Sequence, residues 1–208
     1  MFTYPKQYKF TQTWFDPMIP NWNELFKYYL KENSIKSVLE IGCFEGRATV
    51  YLLLNHLDKD VTYEVVDTFE GTPEESGMIE TVSRLAESNF IYENFMHNMS
   101  QHTGIDLKIR KGYSQLKLPK LYQEGNKYDF IYIDASHRAD DTFVDAYYAH
   151  KMLNPGGLLI FDDFGWKDPA RQHPVDSPEL GVRSFFTMYS EEYTVVMSGY
   201  QVGAIKNK

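Results

Sequence analysis

Asp134 and the adjacent pair Asp162–Asp163 are the residues of this sequence best placed to do chemistry. Each acid closes a short apolar run, Phe130-Ile131-Tyr132-Ile133 before Asp134 and Leu158-Leu159-Ile160-Phe161 before Asp162. Runs of this kind read as buried strands of a parallel sheet. In open parallel sheets, ligands bind in the crevice beyond the carboxyl ends of the strands. Neighbouring strands lie about 4.8 Å apart, so if these two are neighbours, three carboxylates converge on one small volume. Like charges so close cannot all stay ionised without a proton or a cation between them. An oxygen-seeking divalent ion, Mg²⁺ first among them, is the simplest resolution. Capping of the helices that follow would explain one acid, and less easily a pair plus a third.

A second pattern is built on glycine. The stretch Val38-Leu39-Glu40-Ile41-Gly42-Cys43-Phe44-Glu45-Gly46-Arg47 reads as a strand, a tight turn and the start of a helix. Glycines at 42 and 46 let the backbone approach a ligand closely. The dinucleotide fingerprint Gly-x-Gly-x-x-Gly fails, because Phe stands at 44 and Arg at 47. That disfavours a nicotinamide-dependent oxidoreductase. The next strand ends at Asp67, where a carboxylate can accept hydrogen bonds from a ribose diol or cap a turn. Beside the glycine loop, the ribose role is the better reading.

The elements that must position these residues alternate along the chain. Strands are expected at Ser37–Ile41, Val61–Asp67, Leu107–Arg110, Tyr128–Asp134 and Leu158–Asp162. Helices are expected at 21–32 with Asn21 as N-cap, Arg47–His56, Ile79–Met99, Gln115–Gln123 broken at Pro119, Ala139–Leu153 and Glu179–Tyr189. Asn154-Pro155-Gly156-Gly157 reads as a turn, and 164–178, with three prolines, as a loop. Tyr193–Ser198 and Val202–Ile205 pair as a hairpin around Gly199-Tyr200-Gln201. Strands separated by helices imply an α/β fold with a mostly parallel sheet wound on both faces. The terminal hairpin adds an antiparallel strand at or near an edge. Residues 1–20 form an aromatic arm that serves as a cap, an oligomer contact or simple packing on its own domain.

Composition narrows the function class. A chain of 208 residues with 43% hydrophobic content builds one core of ordinary size. The formal net charge of −8 argues against nucleic acid as a partner. Cys43 is the only cysteine, so an intrachain disulfide is excluded, in keeping with a reducing compartment. No apolar run is long enough to span a bilayer, and the start lacks the pattern of a signal peptide. These points predict a cytoplasmic protein that acts on a small molecule and not at a membrane.

In order along the chain, Glu40-x-Gly42-x-x-x-Gly46, Asp67, Gly112-Tyr113-Ser114-Gln115, Ile133-Asp134-Ala135-Ser136-His137, Asn154-Pro155-Gly156-Gly157 and Asp162-Asp163 resemble the class I S-adenosylmethionine-dependent methyltransferases. The resemblance spans roughly residues 35–206, leaving 1–34 as an amino-terminal arm and helix ahead of a methyltransferase domain at 35–208. Within that superfamily the chain is similar to the divalent-metal-dependent O-methyltransferases. Asp67-Thr68-Phe69-Glu70-Gly71-Thr72-Pro73 and Gly181-Val182 resemble the macrolide-sugar, macrocin-type branch, whereas Gly112-x-Ser114-Gln115 resembles the catechol-type branch.

The resemblance implies a Rossmann-like fold with a seven-stranded, mostly parallel sheet, and a role for each matching residue. Gly42, Cys43 and Gly46 would line the methionine end of S-adenosylmethionine, with Glu40 behind them orienting its amino group. Asp67, followed by Thr68, would hold the ribose hydroxyls, and Phe69 would pack beside the adenine. Ser114 and Gln115, after Gly112, would meet the adenine ring. Asp134, Asp162 and Asp163 would ligate the metal, Asp134 also facing the cofactor and the reacting centre. His137 would be the general base, since an imidazole can take a hydroxyl proton near neutral pH; the alternative is a solvent-facing loop histidine. Ser136 stands where sugar-modifying relatives often carry a further acid. The expected reaction is metal-assisted O-methylation of a sugar-like or catechol-like diol. Two alternatives stay open: a metal-independent methyltransferase of the same class, and a cofactor-binding module without catalysis.

Overall fold

Residues 2–71, 89–167 and 173–207 are described by the structure, a computed structural model. The strands are β1 (Ser37–Ile41), β2 (Thr62–Asp67), β3 (Asp106–Lys111), β4 (Tyr128–Ile133), β5 (Leu153–Phe161), β6 (Tyr193–Ser198) and β7 (Val202–Lys206). The helices are α1 (Ile19–Tyr29), α2 (Arg47–Asn55), α3 (Phe90–Met99), α4 (Ser114–Gln123), α5 (Ala139–Met152) and α6 (Pro178–Met188). One sheet takes the strand order β3-β2-β1-β4-β5-β7-β6. Its first five strands are parallel, and β7 runs antiparallel between β5 and β6. This is the expected sheet, with the hairpin at one edge.

The side-chain period of two sorts each central strand onto two cores. Val38, Tyr63, Val65, Phe130, Tyr132, Leu158 and Ile160 pack with α1, α2 and α3 on one face. Leu39, Ile41, Val66, Ile131, Ile133, Leu159 and Phe161 pack with α4, α5 and α6 on the other. Strands buried on both faces read as continuous apolar runs, which is why β1, β4 and β5 are legible in the sequence. Strand order reverses between β1 and β4, so the ligand crevice of such a sheet opens beyond their carboxyl ends.

Several boundaries differ from the sequence expectation. Helix α1 begins at Ile19, placing Pro20 in its first turn and Asn21 inside the helix. Proline fits there because the N–H it lacks would have no partner in the helix; the residue before the helix, Met18, makes no side-chain cap. Pro119 does not break α4, which runs through it. Leu118 and Leu121 are buried on either side, and their packing outweighs the loss of one backbone hydrogen bond. Residues 154–157 are not a turn between elements but an irregularity within β5, where the register moves from Tyr128↔Leu153 to Phe130↔Leu158. Of the expected helix 79–99, the part before residue 89 lies outside the described residues. Among the described residues, no helix is long and apolar enough to cross a membrane.

The aromatic arm packs on its own domain. The Arg47 guanidinium lies 4.4 Å from the Tyr4 ring centre and 4.8 Å from that of Phe10. It also holds Asp16 through two hydrogen bonds of 2.6 Å. Asn98 on α3 donates to the Lys9 carbonyl at 2.8 Å and accepts from the Lys9 amide at 2.7 Å.

Candidate active site

The glycine loop is fitted against the end of β4. Gly42 has φ +85°, and a Cβ there would overlap the Asp134 carbonyl oxygen. Only glycine allows this approach, because it combines the positive φ with the missing side chain. Gly46 has φ +78°, and a Cβ there would stand 2.9 Å from the Phe95 ring. The sheet's hydrogen bonding continues past the strand ends: Gly42 N donates to Val66 O, Asp134 N to Ile41 O and Asp162 N to Ile133 O, each at 2.8 Å. The loop and the acids are thereby held in one frame.

Asp67 ties the loop to β2. Its Oδ2 accepts from Cys43 N at 2.6 Å and Phe44 N at 2.8 Å, and its Oδ1 accepts from Phe69 N at 2.6 Å. Three of its four lone-pair sites are thus filled by backbone, leaving one on Oδ1. Burial raises its pKa, and the same three N–H groups pull it back. Thr68 Oγ1 accepts from Glu70 N at 3.2 Å and shapes the turn. The Phe69 ring is 2% exposed and lies against Tyr92 and Phe95. Glu40 is buried behind the loop, where its Oε2 accepts from Thr49 and Tyr63, both at 2.6 Å. Burial pushes its pKa up to about 7 against the pull of those two hydroxyls.

Beyond β3, Gly112 N donates to Asp67 O at 2.8 Å, bringing the start of α4 beside β2. Ser114 is buried there, and Gln115 Nε2 donates to Asp141 Oδ1 at 2.8 Å. The other Asp141 oxygen accepts from Ser136 Oγ at 2.8 Å. One turn along α5, the Asp145 carboxylate is fully buried and has no hydrogen-bond partner within ordinary distance. Burial pushes its pKa up to about 7, with the Ser114 hydroxyl lowering it and Asp141 raising it.

The acids line one pocket with Ile133, Ala135, Ser136, His137, Thr142 and Pro178. Asp134, His137 and Asp163 each bring a ligand atom within 4.8 Å of the others. His137 Nε2 lies 2.6 Å from Asp163 Oδ2, and its ring stands 4.4 Å from that of Trp166. Asp163 adopts φ 54°, a left-handed conformation that a short polar side chain tolerates. Burial, then Asp162 and Asp163, raise the Asp134 pKa well above the carboxylate range, while His137 and Tyr132 lower it.

Asp162 departs from the sequence expectation, because it is not part of the group of three. Its Oδ2 accepts from the Tyr132 hydroxyl in a very short hydrogen bond and from Gln201 Nε2 at 2.8 Å. Its Oδ1 accepts from Asp163 N at 2.7 Å. Burial and Asp163 push its pKa up to about 6 in spite of these donors. Tyr132, Gln201 and Asp145 are not among the site residues expected from the sequence. Tyr132 reads as one more strand apolar and Gln201 as a turn residue, so neither carries a local signal. A lone acid at a helix position facing the core, such as Asp145, is a signal that could have been followed.

The methyltransferase domain family matches residues 39–164. By sequence, no curated protein matches the chain. Among solved structures, an O-methyltransferase from Bacillus cereus in complex with SAH is 20% identical with a TM-score of 0.57, over 90% of this chain and 81% of that one. The O-methyltransferase TomG from Streptomyces achromogenes, involved in tomaymycin synthesis and solved with SAM, is 19% identical with a TM-score of 0.60, over 91% and 80%. MycE methyltransferase of the mycinamycin biosynthetic pathway, solved with Mg, SAH and mycinamycin VI, is 12% identical with a TM-score of 0.56, over 96% and 51%. At these identities the likeness is one of fold.

Proposed function

The chain belongs to the methyltransferase domain family, and from that premise we propose that it moves the methyl group of S-adenosylmethionine to a hydroxyl of a small diol beside a divalent cation. The observation that carries this reading is the contact of Gly42 with the Asp134 backbone, which sets the cofactor loop against the acid pocket. Gly42, Cys43 and Gly46 offer close backbone approach to the methionine end. Glu40 orients its amino group from behind. Asp67 offers its remaining lone pair to a ribose hydroxyl, and Thr68 and Phe69 shape the edge of that seat. Gly112, Ser114 and Gln115 form the adenine end.

The donors in the pocket fit a hard divalent ion such as Mg²⁺. Asp134 and Asp163 supply two charges to balance it, and oxygen ligands are the ones it prefers. The raised Asp134 pKa marks a site that gains from a positive charge. A bound cation would lower the pKa of the acceptor hydroxyl and fix its position. His137 is the base that takes the hydroxyl proton, its imidazole oriented by the contact of Nε2 with Asp163. Trp166 packs on the imidazole and limits its rotation. Holding hydroxyl and sulfonium at attack distance supplies much of the acceleration. MycE, solved with Mg and SAH, supports the pairing of cation and cofactor on this fold.

One observation favours a second reading. The 2.6 Å contact between His137 and Asp163 is also that of a base oriented by a carboxylate, which needs no cation. Transfer of labelled methyl from S-adenosylmethionine to a panel of catechols and sugar diols, with chelator and Mg²⁺ add-back, separates the two. Loss and recovery of label is expected. Undiminished transfer in chelator would establish the metal-free reading. Cofactor binding with no transfer to any hydroxyl would leave a binding module.

A further inference from the structure

Gln201 lies at the end of the β6–β7 turn, yet it is 1% exposed. Its Oε1 accepts from the indole Nε1 of Trp22 at 2.7 Å, and Trp22 is fully buried on α1. An indole N–H can only donate, so the amide oxygen must face it. The amide nitrogen is thereby committed to the opposite side, where it donates to Asp162 Oδ2. A flipped amide would set donor against donor at Trp22 and acceptor against acceptor at Asp162. The tryptophan thus fixes which end of Gln201 the carboxylate sees.

The consequence reaches the acid pocket. Oδ2 of Asp162 has both acceptor sites filled, by Tyr132 and Gln201. Oδ1 has one filled by Asp163 N. A carboxylate has about four such sites, so a single lone pair on Oδ1 is left, and Asp162 lines the pocket beside Asp134, His137 and Asp163 without joining their group of three. Ca²⁺ takes six to eight oxygens at flexible angles and often chelates a carboxylate through both, whereas Mg²⁺ demands a near-ideal octahedron of single oxygens.

We propose that Gln201, oriented by Trp22, is a positioning residue that keeps Asp162 from chelating through both oxygens and so biases the pocket toward a small octahedral cation over Ca²⁺. The inference rests on the cation reading of the pocket. It draws on residues of α1 and the last hairpin, 179 positions apart in the chain.

The test is equilibrium binding of Mn²⁺ to the full chain, followed by electron paramagnetic resonance, with Mg²⁺ and Ca²⁺ as competitors. Gln201→Met keeps the length and burial of the side chain but removes the donor. Trp22→Phe keeps an aromatic ring in the core but frees the amide to flip. Both variants are compared with the wild type after circular dichroism shows the native fold. The expected result is a drop of about tenfold in the Mg²⁺:Ca²⁺ preference for Gln201→Met, with a smaller drop for Trp22→Phe. An unchanged preference in a folded Gln201→Met variant that still binds Mn²⁺ overturns the proposal. No Mn²⁺ binding by the wild type, with S-adenosylhomocysteine still bound, would instead remove the cation reading beneath it.

Discussion

His137 and Asp163 meet at the mouth of the crevice, with Nε2 2.6 Å from Oδ2, although they come from the ends of different strands. The imidazole is pinned on a second side by Trp166. A base held in this way should matter for turnover and little for cofactor binding. His137→Ala is expected to lower turnover roughly a hundredfold or more. Calorimetric affinity for S-adenosylhomocysteine should stay nearly unchanged. Wild-type rates in the variant would show that the histidine is a bystander.

Asp67 has two duties, holding the glycine loop and offering its last lone pair to a ribose. Asp67→Ala is expected to weaken S-adenosylhomocysteine binding by about 1.5–3 kcal/mol, the loss of charged hydrogen bonds. Unaltered affinity by calorimetry would remove the ribose assignment.

Asp145 should leave a signature in stability against pH. Its folded-state pKa is raised from 3.8 to about 7, chiefly by burial. The folded protein therefore binds the proton more tightly than the unfolded chain does. The stability linked to that proton is full below the ordinary pKa and is lost as pH rises toward 7. Asp145→Asn, a neutral mimic, should track the wild type near pH 4 and exceed it above pH 7 by on the order of 2 kcal/mol. Denaturant melts across that range give the comparison, and a difference independent of pH would contradict the account.

The arm is anchored by the Arg47–Asp16 pair, whose side chains are 17% and 37% exposed. Half-exposed pairs contribute little alone, up to about 1 kcal/mol. Asp16→Ala should therefore quicken tryptic cleavage after Lys6 or Lys9 by at most about fivefold. An arm cleaved at the wild-type rate would mean that its aromatic contacts alone hold it.

Much of this was legible in the sequence. Apolar runs closed by acids located β4 and β5, and the two glycines located the loop that fits against Asp134. The polar partners behind the site were not legible. Trp22 and Gln201 are 179 residues apart, and their contact exists only because α1 and the terminal hairpin flank the same strand ends. Strand position alone groups Asp162 with Asp134 and Asp163. The donors that engage it, Tyr132 and Gln201, face it through the tertiary fold and leave no mark in local spacing. Helix α4 runs through Pro119 because Leu118 and Leu121 are buried on either side, a packing gain that helix propensity does not show.

A divalent cation beside the cofactor can be located by anomalous diffraction from crystals grown with Mn²⁺ and S-adenosylhomocysteine. A manganese peak is expected within about 2.5 Å of carboxylate oxygens of both Asp134 and Asp163, on the side of the pocket facing the cofactor sulfur. A bound cofactor with no anomalous peak at these two residues would contradict it.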